Sequence, residues 1–422
     1  MNEQAYSILM GILIGDAVGY PVDSLGKGHI RSTLGALSGF ADPAGALKGH
    51  IERWRKPGLL SASGQLLLCA AAAARGRELS AASCASLIAS NGEGGAAGTG
   101  PFRTTSRLLR VFLSNAYGRE VAAGPSASAA VLPVCAGGAV TVAVNRTLDG
   151  GECLSFAAGF GADADSAIAS ELLGRVLAAC VNGAGFPDLT VFSRTGEELA
   201  VWCAENEPLL FSAGFNPVAA VSSARELAAI FRSLEECSSA EAGEKLIVEA
   251  VNRRLKTPVT RATVDHPFAV LPYAALLAGL YRGVPSTALF RAGEEGGASS
   301  ALCALVGAFI CSEADPLELY GPLFQSLVNR RELVSCAEKI ASGTFAPREI
   351  AAFLSSESAL SSKENEEREA RMKHGKVSAP PKKKDRREQE RSLTRHVVES
   401  WTKADKARWK KERRNMEKDS ED

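Results

Sequence analysis

Acidic side chains inside apolar, glycine-rich runs are the residues of this sequence best suited to chemistry. The run GILIGDAVGYPVD, residues 11–23, places Asp16 among aliphatic side chains, with Gly15 and Gly19 on either side, and ends at Asp23. A carboxylate that leaves water for an apolar site is costly unless hydrogen bonds or a counter-charge compensate it. Asp16 therefore caps a helix, binds a ligand, or remains from a site that once bound one.

A second acidic pair lies in GADADSAIASELLG, residues 161–174. Asp163, Asp165 and Ser166 could ligate a hard cation, because such cations take several oxygen ligands. The pair could instead stand at the start of a helix, where an acidic residue caps free N–H groups and its charge suits the helix dipole. The helix cap is the commoner role, and both interpretations stay open on the sequence alone.

The remaining polar candidates favour structural roles. NGEGGAAGTG, residues 91–100, is rich enough in glycine to hold a phosphate but lacks the Lys-Ser/Thr of a P-loop, which predicts a surface loop. His29 and His50 have no paired ligand or nucleophile nearby in sequence, so we expect surface histidines. His266 precedes Pro267, which predicts a turn.

Cysteine usage and hydropathy indicate a soluble, cytoplasmic protein. The ten cysteines are scattered singly, without a CxxC pair or a Cys/His cluster. That pattern argues against zinc and against a disulfide framework, and it fits a reducing compartment. The N-terminus has no basic leader region, and no uninterrupted apolar stretch approaches about 20 residues, so we expect no membrane partner.

The elements that must position these residues are helices. Apolar residues recur at helical spacing up to about residue 354, as in SGQLLLCAAAAARGRELS at 63–80 and TTSRLLRVFLSNAYG at 104–118. Aromatic residues make up 6% of the chain and Ala and Gly are abundant, which favours closely packed helices. Alternating strand patterns are few, so we predict an all-α bundle.

The composition changes after Leu360. Residues 361–422 carry 20 Lys and Arg against 14 Asp and Glu. This predicts a helical domain over 1–355 and a charged, basic tail over 361–422 that is disordered or partly helical. Basic residues at 382–414 are interleaved with tryptophans, so RNA, DNA or an acidic protein is a possible partner of the tail.

Four segments, taken in order, resemble the ADP-ribosylglycohydrolase family, which includes the dinitrogenase-reductase-activating glycohydrolases and the ADP-ribosyl-acceptor hydrolases. They are GILIGDAVGYPVD, KPGLLSASGQLLLCAAA, GTGPFRTTSRLLRVF with the later SASAAVLPV, and LPYAALLAGLYRGVPSTALFRAGEEGGASSALCALVGAFIC. Their order and spacing agree with the family from Met1 to about Leu323. The resemblance implies a single orthogonal helical-bundle domain of this type, with Asp16 near the active-site floor at a helix start.

The family's activity, as the resemblance implies it, rests on two Mg²⁺-type ions held by the second and fourth motifs. Here the residues at 61–63 are Ser-Ala-Ser where the family has Ser/Thr-Asp-Asp, and those at 298–300 are Ala-Ser-Ser where it has Asp-Thr-Asp. Glu294 and Glu295 could partly restore the lost charge, although an exposed loop is their commoner role. We therefore expect no metal, no cofactor and a lost magnesium site, which makes the chain a pseudoenzyme.

The resemblance also implies that the two altered motifs face each other at helix N-termini, which attract anions. The residues expected to line this vestigial cleft are Asp16, Ser61, Ser63, Gly296, Gly297, Ser299 and Ser300. Three functions follow as hypotheses. The first is a binding module for ADP-ribose or another anionic small molecule. The second is a hydrolase of ADP-ribosyl glycosidic bonds that uses relocated acids, namely Asp16, Asp23, Asp163 and Asp165. The third is a nucleic-acid adaptor that works through the basic tail.

Overall fold

The structure is a computed structural model, which describes residues 1–74, 79–91, 101–103, 106–118, 130–145, 150–255 and 257–377. Within these ranges the chain forms α-helices and short 3-10 or π turns, and no β-strand. The all-α prediction is confirmed. Residues 92–100 of the glycine-rich segment and the basic residues 382–414 lie outside the described residues.

The helices follow one another along the whole described chain. Their bounds are α1 Glu3–Gly19, α2 Lys27–Thr33, α3 Ala62–Ala74, α4 Ala81–Asn91, α5 Arg107–Ala116, α6 Val131–Asn145, α7 Glu152–Gly159, α8 Ala164–Ala179, α9 Leu189–Glu205, α10 Glu207–Ser212, α11 Pro217–Leu234, α12 Ala240–Asn252, α13 Pro267–Leu280, α14 Pro285–Glu295, α15 Ser299–Ile310, α16 Pro316–Ser326, α17 Arg330–Ala341 and α18 Pro347–Val377. Many begin where the sequence carries an Asn, Asp or Ser cap or a proline in the first turn.

Helices α1 and α15 pack side by side through the core, and glycines allow their close approach. Gly11, Gly15 and Gly19 lie four residues apart, so they line one side of α1. A methyl group at Gly15 would lie 2.6 Å from the carbonyl carbon of Cys303 and would overlap its oxygen. The glycines that flank Asp16 in the sequence therefore belong to this helix interface, which sets the positions of both helices at the candidate site.

Two helical segments have the length and apolar composition needed to cross a bilayer, Glu3–Val22 and Ala164–Ala184. The sequence predicts none, because no uninterrupted apolar stretch approaches about 20 residues. Within the protein 94% of the first segment's window and 72% of the second's are buried. Both segments therefore serve as core helices of this fold.

The chain divides into two compact units, Met1–Arg368 and Glu369–Asp422. The first unit extends beyond residue 355, where the sequence predicts the end of the helical domain. The difference arises because Glu357 and Glu364 of α18 are buried, with 1% and 2% of their surface exposed, although the segment is polar. A deletion that began at residue 361 would therefore remove a side chain that belongs to the helical body.

Candidate functional site

The site begins where the end of α1 meets the start of α3. Asp16 lies in the last turn of α1, which ends at Gly19, so the expectation that it stands at a helix start is wrong. Its Oδ2 accepts a hydrogen bond from the Ser61 backbone N–H at 2.6 Å, and its Oδ1 accepts one from the Ser61 hydroxyl at 2.5 Å. The Ser61 hydroxyl in turn accepts from the backbone N–H of Ser63 at 3.1 Å. Asp16 thus secures the N-terminus of a helix other than its own.

Asp16 is completely buried, and this burial raises its pKa to about 7. This value includes the charge of Asp23, which also raises the pKa, and the Ser61 hydrogen bonds and the charge of Arg103, which lower it. Gly64 makes room for the carboxylate, because a methyl group there would lie 2.6 Å from Asp16 Oδ2. The local sequence is thus fitted to hold Asp16 inside the protein.

Asp23 joins the start of α15 to the segment that follows α1. Its Oδ2 accepts from Arg55 Nη1 at 2.9 Å, and its Oδ1 accepts from the Ser300 hydroxyl at 3.2 Å. The Ser300 backbone N–H lies 3.4 Å from the same oxygen, which makes a long bond. Next to it, the Ser299 hydroxyl donates to the Gly19 carbonyl at 2.9 Å. Ser299 is therefore bonded to the end of α1, and Ser300, which stands where the resemblance implies an acid, is bonded to Asp23.

Gly296 and Gly297 form the tight connection between α14 and α15. Their φ angles are +67° and +64°, in the left-handed region that favours glycine. The Gly297 N–H donates to the Leu25 carbonyl at 2.8 Å, and its carbonyl accepts from the Ser24 N–H at 2.6 Å. A side chain at Gly297 would also lie 2.6 Å from the Thr263 hydroxyl. Backbone geometry alone thus accounts for both glycines.

A cavity of about 530 Å³ opens beside this connection. Of the seven residues expected to line the cleft, Gly297 and Ser300 border the cavity, whereas Asp16, Ser61 and Ser299 have no exposed surface. The charged groups that border it are Asp23, Lys27, Arg261, Asp265 and Glu295. Lys27 and Arg261 are not predicted from the sequence, because they lie outside the four recognisable motifs.

Glu294 and Glu295 end α14 and are each 4% exposed, so the expectation of an exposed loop is wrong. Glu295 pairs with Lys27 at 2.6 Å and also with Arg261. Glu294 pairs with Arg291 at 3.0 Å. Each carboxylate is therefore neutralised by protein cations. The positive charges of Lys27 and Arg261 at the cleft are balanced in turn by Glu295 and, for Arg261, also by Glu244.

The resemblance implies two divalent cations here, and the donor set tests whether they fit. The positions assigned to acids carry methyl groups or hydroxyls. Asp16 and Asp23 accept hydrogen bonds from Ser61, Ser300 and Arg55. Within the described ranges, no three His, Cys, Asp or Glu side chains are grouped to hold a metal. Two such ions need carboxylates to offset their mutual repulsion, so the residues present do not fit them.

Asp163 and Asp165 border a second cavity, of about 1050 Å³. Asp163 is the N-cap of α8, because its Oδ1 accepts from the Ser166 N–H at 2.9 Å. Asp165 pairs with Arg254 at 2.5 Å and accepts from the Ser223 hydroxyl at 2.6 Å. The first residue therefore has the capping role, and the second is one half of an ion pair.

The three candidate histidines are a helix cap, His266, and two exposed side chains, His29 and His50. His266 is the N-cap of α13 rather than part of a turn, and its Nδ1 accepts from the Phe268 N–H at 3.2 Å. Burial lowers its pKa, although Asp165, 4.0 Å away, acts in the opposite direction. His29 and His50 are exposed, which confirms that prediction.

The ten cysteines are free thiols, and nine of them are buried. Burial raises the pKa of Cys84 to about 12 and that of Cys203 to about 11. A thiol that stays protonated is a poor nucleophile. The nine buried cysteines therefore serve as core residues.

The sequence profile of the family described as ADP-ribosylglycohydrolase matches residues 1–346. A solved structure described as an ADP-ribosylglycohydrolase-related protein complex is similar, with a TM-score of 0.47, 16% sequence identity, and coverage of 82% of this chain and 99% of that one. No curated protein matches the sequence. Since the profile spans most of the 422 residues, the chain belongs to the ADP-ribosylglycohydrolase family.

Proposed function

We propose that this protein is a non-catalytic member of its family, which binds an anionic small molecule of the ADP-ribose type in the cleft beside Gly297 and Ser300. One observation carries the proposal. The carboxylates of the opening motif, Asp16 and Asp23, are engaged by protein donors. Hydroxyls or methyl groups stand at the positions of the second and fourth motifs where the resemblance implies acids. The site therefore has the family's architecture without its cation ligands.

The same contacts argue against hydrolysis. Glycosidic cleavage by water needs a metal or a general base within hydrogen-bond reach of the attacking water. Asp16 has no exposed surface, and Asp23 is held between Arg55 and Ser300. The other relocated acids of the hydrolase hypothesis, Asp163 and Asp165, border a different cavity. The contacts of these four acids therefore favour the binding module over the hydrolase.

An anion is the favoured ligand because the cleft presents donors. Ala298 precedes α15 and supplies no side-chain cap, and the Ser300 N–H makes only a long bond to Asp23. A phosphate could accept from such a helix start. Lys27 and Arg261 at the same cavity supply further N–H donors, while their charges are balanced by Glu295 and, for Arg261, by Glu244 as well.

Calorimetric titration with ADP-ribose tests the proposal. We expect binding of equal affinity in Mg²⁺ and in EDTA, no micromolar isotherm for Mg²⁺ or Mn²⁺ alone, and no release of free ADP-ribose from ADP-ribosylated protein. Arg261→Gln should weaken binding about tenfold, which corresponds to about 1.4 kcal/mol. Arg282→Gln is the matched control, because Arg282 pairs with Glu313 away from the cavity.

Two results would contradict the proposal. A stoichiometric two-ion isotherm would show that cations are held despite the missing acids, and steady hydrolysis with or without metal would favour relocated acids. Restoring the acids provides the positive control. Asp at Ala62, Ser63, Ala298 and Ser300 together should recover cation binding before turnover.

Binding of nucleic acid by residues 382–414 stays a prediction, since that segment lies outside the described residues. Localisation in the cytoplasm likewise stays a prediction.

A further inference from the structure

A group of hydrogen-bond donors near the start of α3 surrounds two glutamates of α18. Helix α18 begins at residue 347, just after the residues matched by the family profile. Glu357 and Glu364 lie seven residues apart, which places them on the same side of the helix. Both are buried, which requires that their charges be compensated.

Glu357 is held by three donors. Its Oε2 accepts from Arg103 Nη1 at 2.5 Å and from Gln65 Nε2 at 2.7 Å. Its Oε1 accepts from Asn329 Nδ2 at 2.8 Å. These donors come from three separate parts of the fold, so the family region itself builds this set.

Glu364 is held by a second set. Its Oε1 accepts from the Lys56 backbone N–H at 2.8 Å and from the Tyr20 hydroxyl at 3.2 Å. Its Oε2 lies 3.4 Å from Arg103 Nε in an ion pair. Arg103 therefore bridges the two glutamates and stands at the centre of the donors.

The two glutamates do not supply a hydrogen-bond acceptor for every N–H donor of Arg103. Arg103 is 7% exposed, and its Nε has no hydrogen-bond partner of good geometry among the described residues. A guanidinium is a planar group whose N–H donors match the spacing of oxyanion oxygens, phosphate included. The donors around Arg103 therefore suit an oxyanion with more acceptor oxygens than a carboxylate has.

The segment of α18 that supplies the glutamates is held by polar contacts. Ile350, Phe353 and Leu354 anchor the start of the helix in the core. Beyond them, Glu357 and Glu364 are the buried residues of the described helix. Buried ion pairs regain little more than the cost of desolvating their charges. In residues 355–368 the apolar side chains are Ala359, which is exposed, and Leu360, which is partly buried. Separation of this part of α18 from the body therefore breaks mainly polar contacts.

We propose that residues 355–368 of α18 occupy, in cis, an oxyanion-binding site of the family domain, and that a soluble phosphate-bearing molecule displaces them. The donors of this site are Tyr20, Lys56 (backbone), Gln65, Arg103 and Asn329. Displacement exchanges carboxylates for phosphate oxygens on the same donors, so α18 acts as an autoinhibitory segment. The inference does not rest on the proposed function, since these donors are not those of the cleft beside Gly297 and Ser300.

Amide hydrogen exchange of the full chain tests the displacement, with inorganic pyrophosphate as the probe and sodium chloride added to equal ionic strength. We expect pyrophosphate to speed exchange across 355–368 at least about tenfold over the salt control. Exchange in α9, remote from the site, should not change. Equal exchange in pyrophosphate and in the salt control would overturn the proposal.

A paired substitution gives the second measurement. Glu357→Gln with Glu364→Gln removes the competing charges, so pyrophosphate should bind at least about tenfold more tightly than to the unmodified chain. Glu366→Gln with Glu369→Gln is the matched control, because both of these side chains are exposed on the same helix. Equal affinity in both double variants would contradict the proposal. If the first variant fails to fold, the exchange experiment on the unmodified chain decides.

Discussion

Replacing Gly15 by alanine tests the helix contact on which the candidate site is built. Gly15 lies next to Asp16 on α1, and its backbone faces Cys303 and Ala304 of α15. The same two helices meet further along at Ser299, whose hydroxyl donates to Gly19. A change in their separation would therefore displace the start of α15 relative to the end of α1.

The expected magnitude follows from the distances at Gly15. A methyl group there would lie 2.6 Å from the carbonyl carbon of Cys303 and 2.9 Å from the Cα of Ala304, while ordinary contact begins at 3.4 Å. Both neighbours are backbone atoms, so the helices must part by about 0.8 Å or more, which is overpacking. Overpacking typically costs about 1–3 kcal/mol, and the gain in helix propensity from Gly to Ala offsets at most about 1 kcal/mol. We expect a net loss of about 1–2 kcal/mol in the free energy of unfolding.

Urea denaturation followed by circular dichroism measures this loss as a lower midpoint at unchanged slope. Gly279→Ala is the matched control, because Gly279 is also helical, yet nothing lies within 4 Å of a methyl group placed there. That variant should keep its stability or gain up to about 1 kcal/mol. Equal stability of Gly15→Ala and Gly279→Ala would show that α1 and α15 do not approach each other as closely as these distances require.

Two further predictions concern a buried histidine and the basic tail. Burial lowers the pKa of His266 below 6.5 in the folded protein, so the unfolded chain binds a proton at a higher pH than the folded protein does. The contribution of neutral His266 to stability is therefore fully present above about pH 6.5 and is lost as the pH falls below that value. The variant His266→Asn keeps an acceptor for the Phe268 N–H. Its melting temperature should fall less between pH 7.5 and pH 5.5 than that of the unmodified protein. An equal fall in both proteins would show that protonation of His266 is not the cause. RNA affinity should fall steeply with salt and vanish when residues 382–414 are deleted, and an affinity that survives deletion would exclude the tail as the binding segment.

The sequence predicts the helical architecture well, because small residues and helical periodicity are local signals. The sequence predicts that Asp16 caps a helix, and it does, but it caps α3 rather than the helix to which it belongs. Its partner, Ser61, lies 45 residues away, and no local pattern identifies it. For Asp163 the cap and its N–H partner lie within three residues, and there the capping interpretation matches the contact.

The burial of Glu357 and Glu364 of α18 is the main feature that the composition does not predict. A polar segment with many charges predicts a solvated tail, since charged side chains are seldom fully buried. Glu364 is buried because Lys56 and Tyr20 supply donors from more than 300 residues earlier in the chain. Glu357 depends in the same way on Arg103, which is 254 residues away. Only the three-dimensional arrangement brings such partners together.

These contacts also explain why Asp16 and Asp23 persist where the family's other acids are absent. Helix N-termini carry partial positive charge and free N–H groups, which need acceptors when they are buried. Asp16 satisfies the start of α3, and Asp23 contributes to the start of α15. Both carboxylates therefore have a structural role, as hydrogen-bond acceptors at helix N-termini, that does not depend on a cation or a reaction. The hydrogen-bonding needs of the two helix starts are by themselves a sufficient reason for a carboxylate at each of these positions.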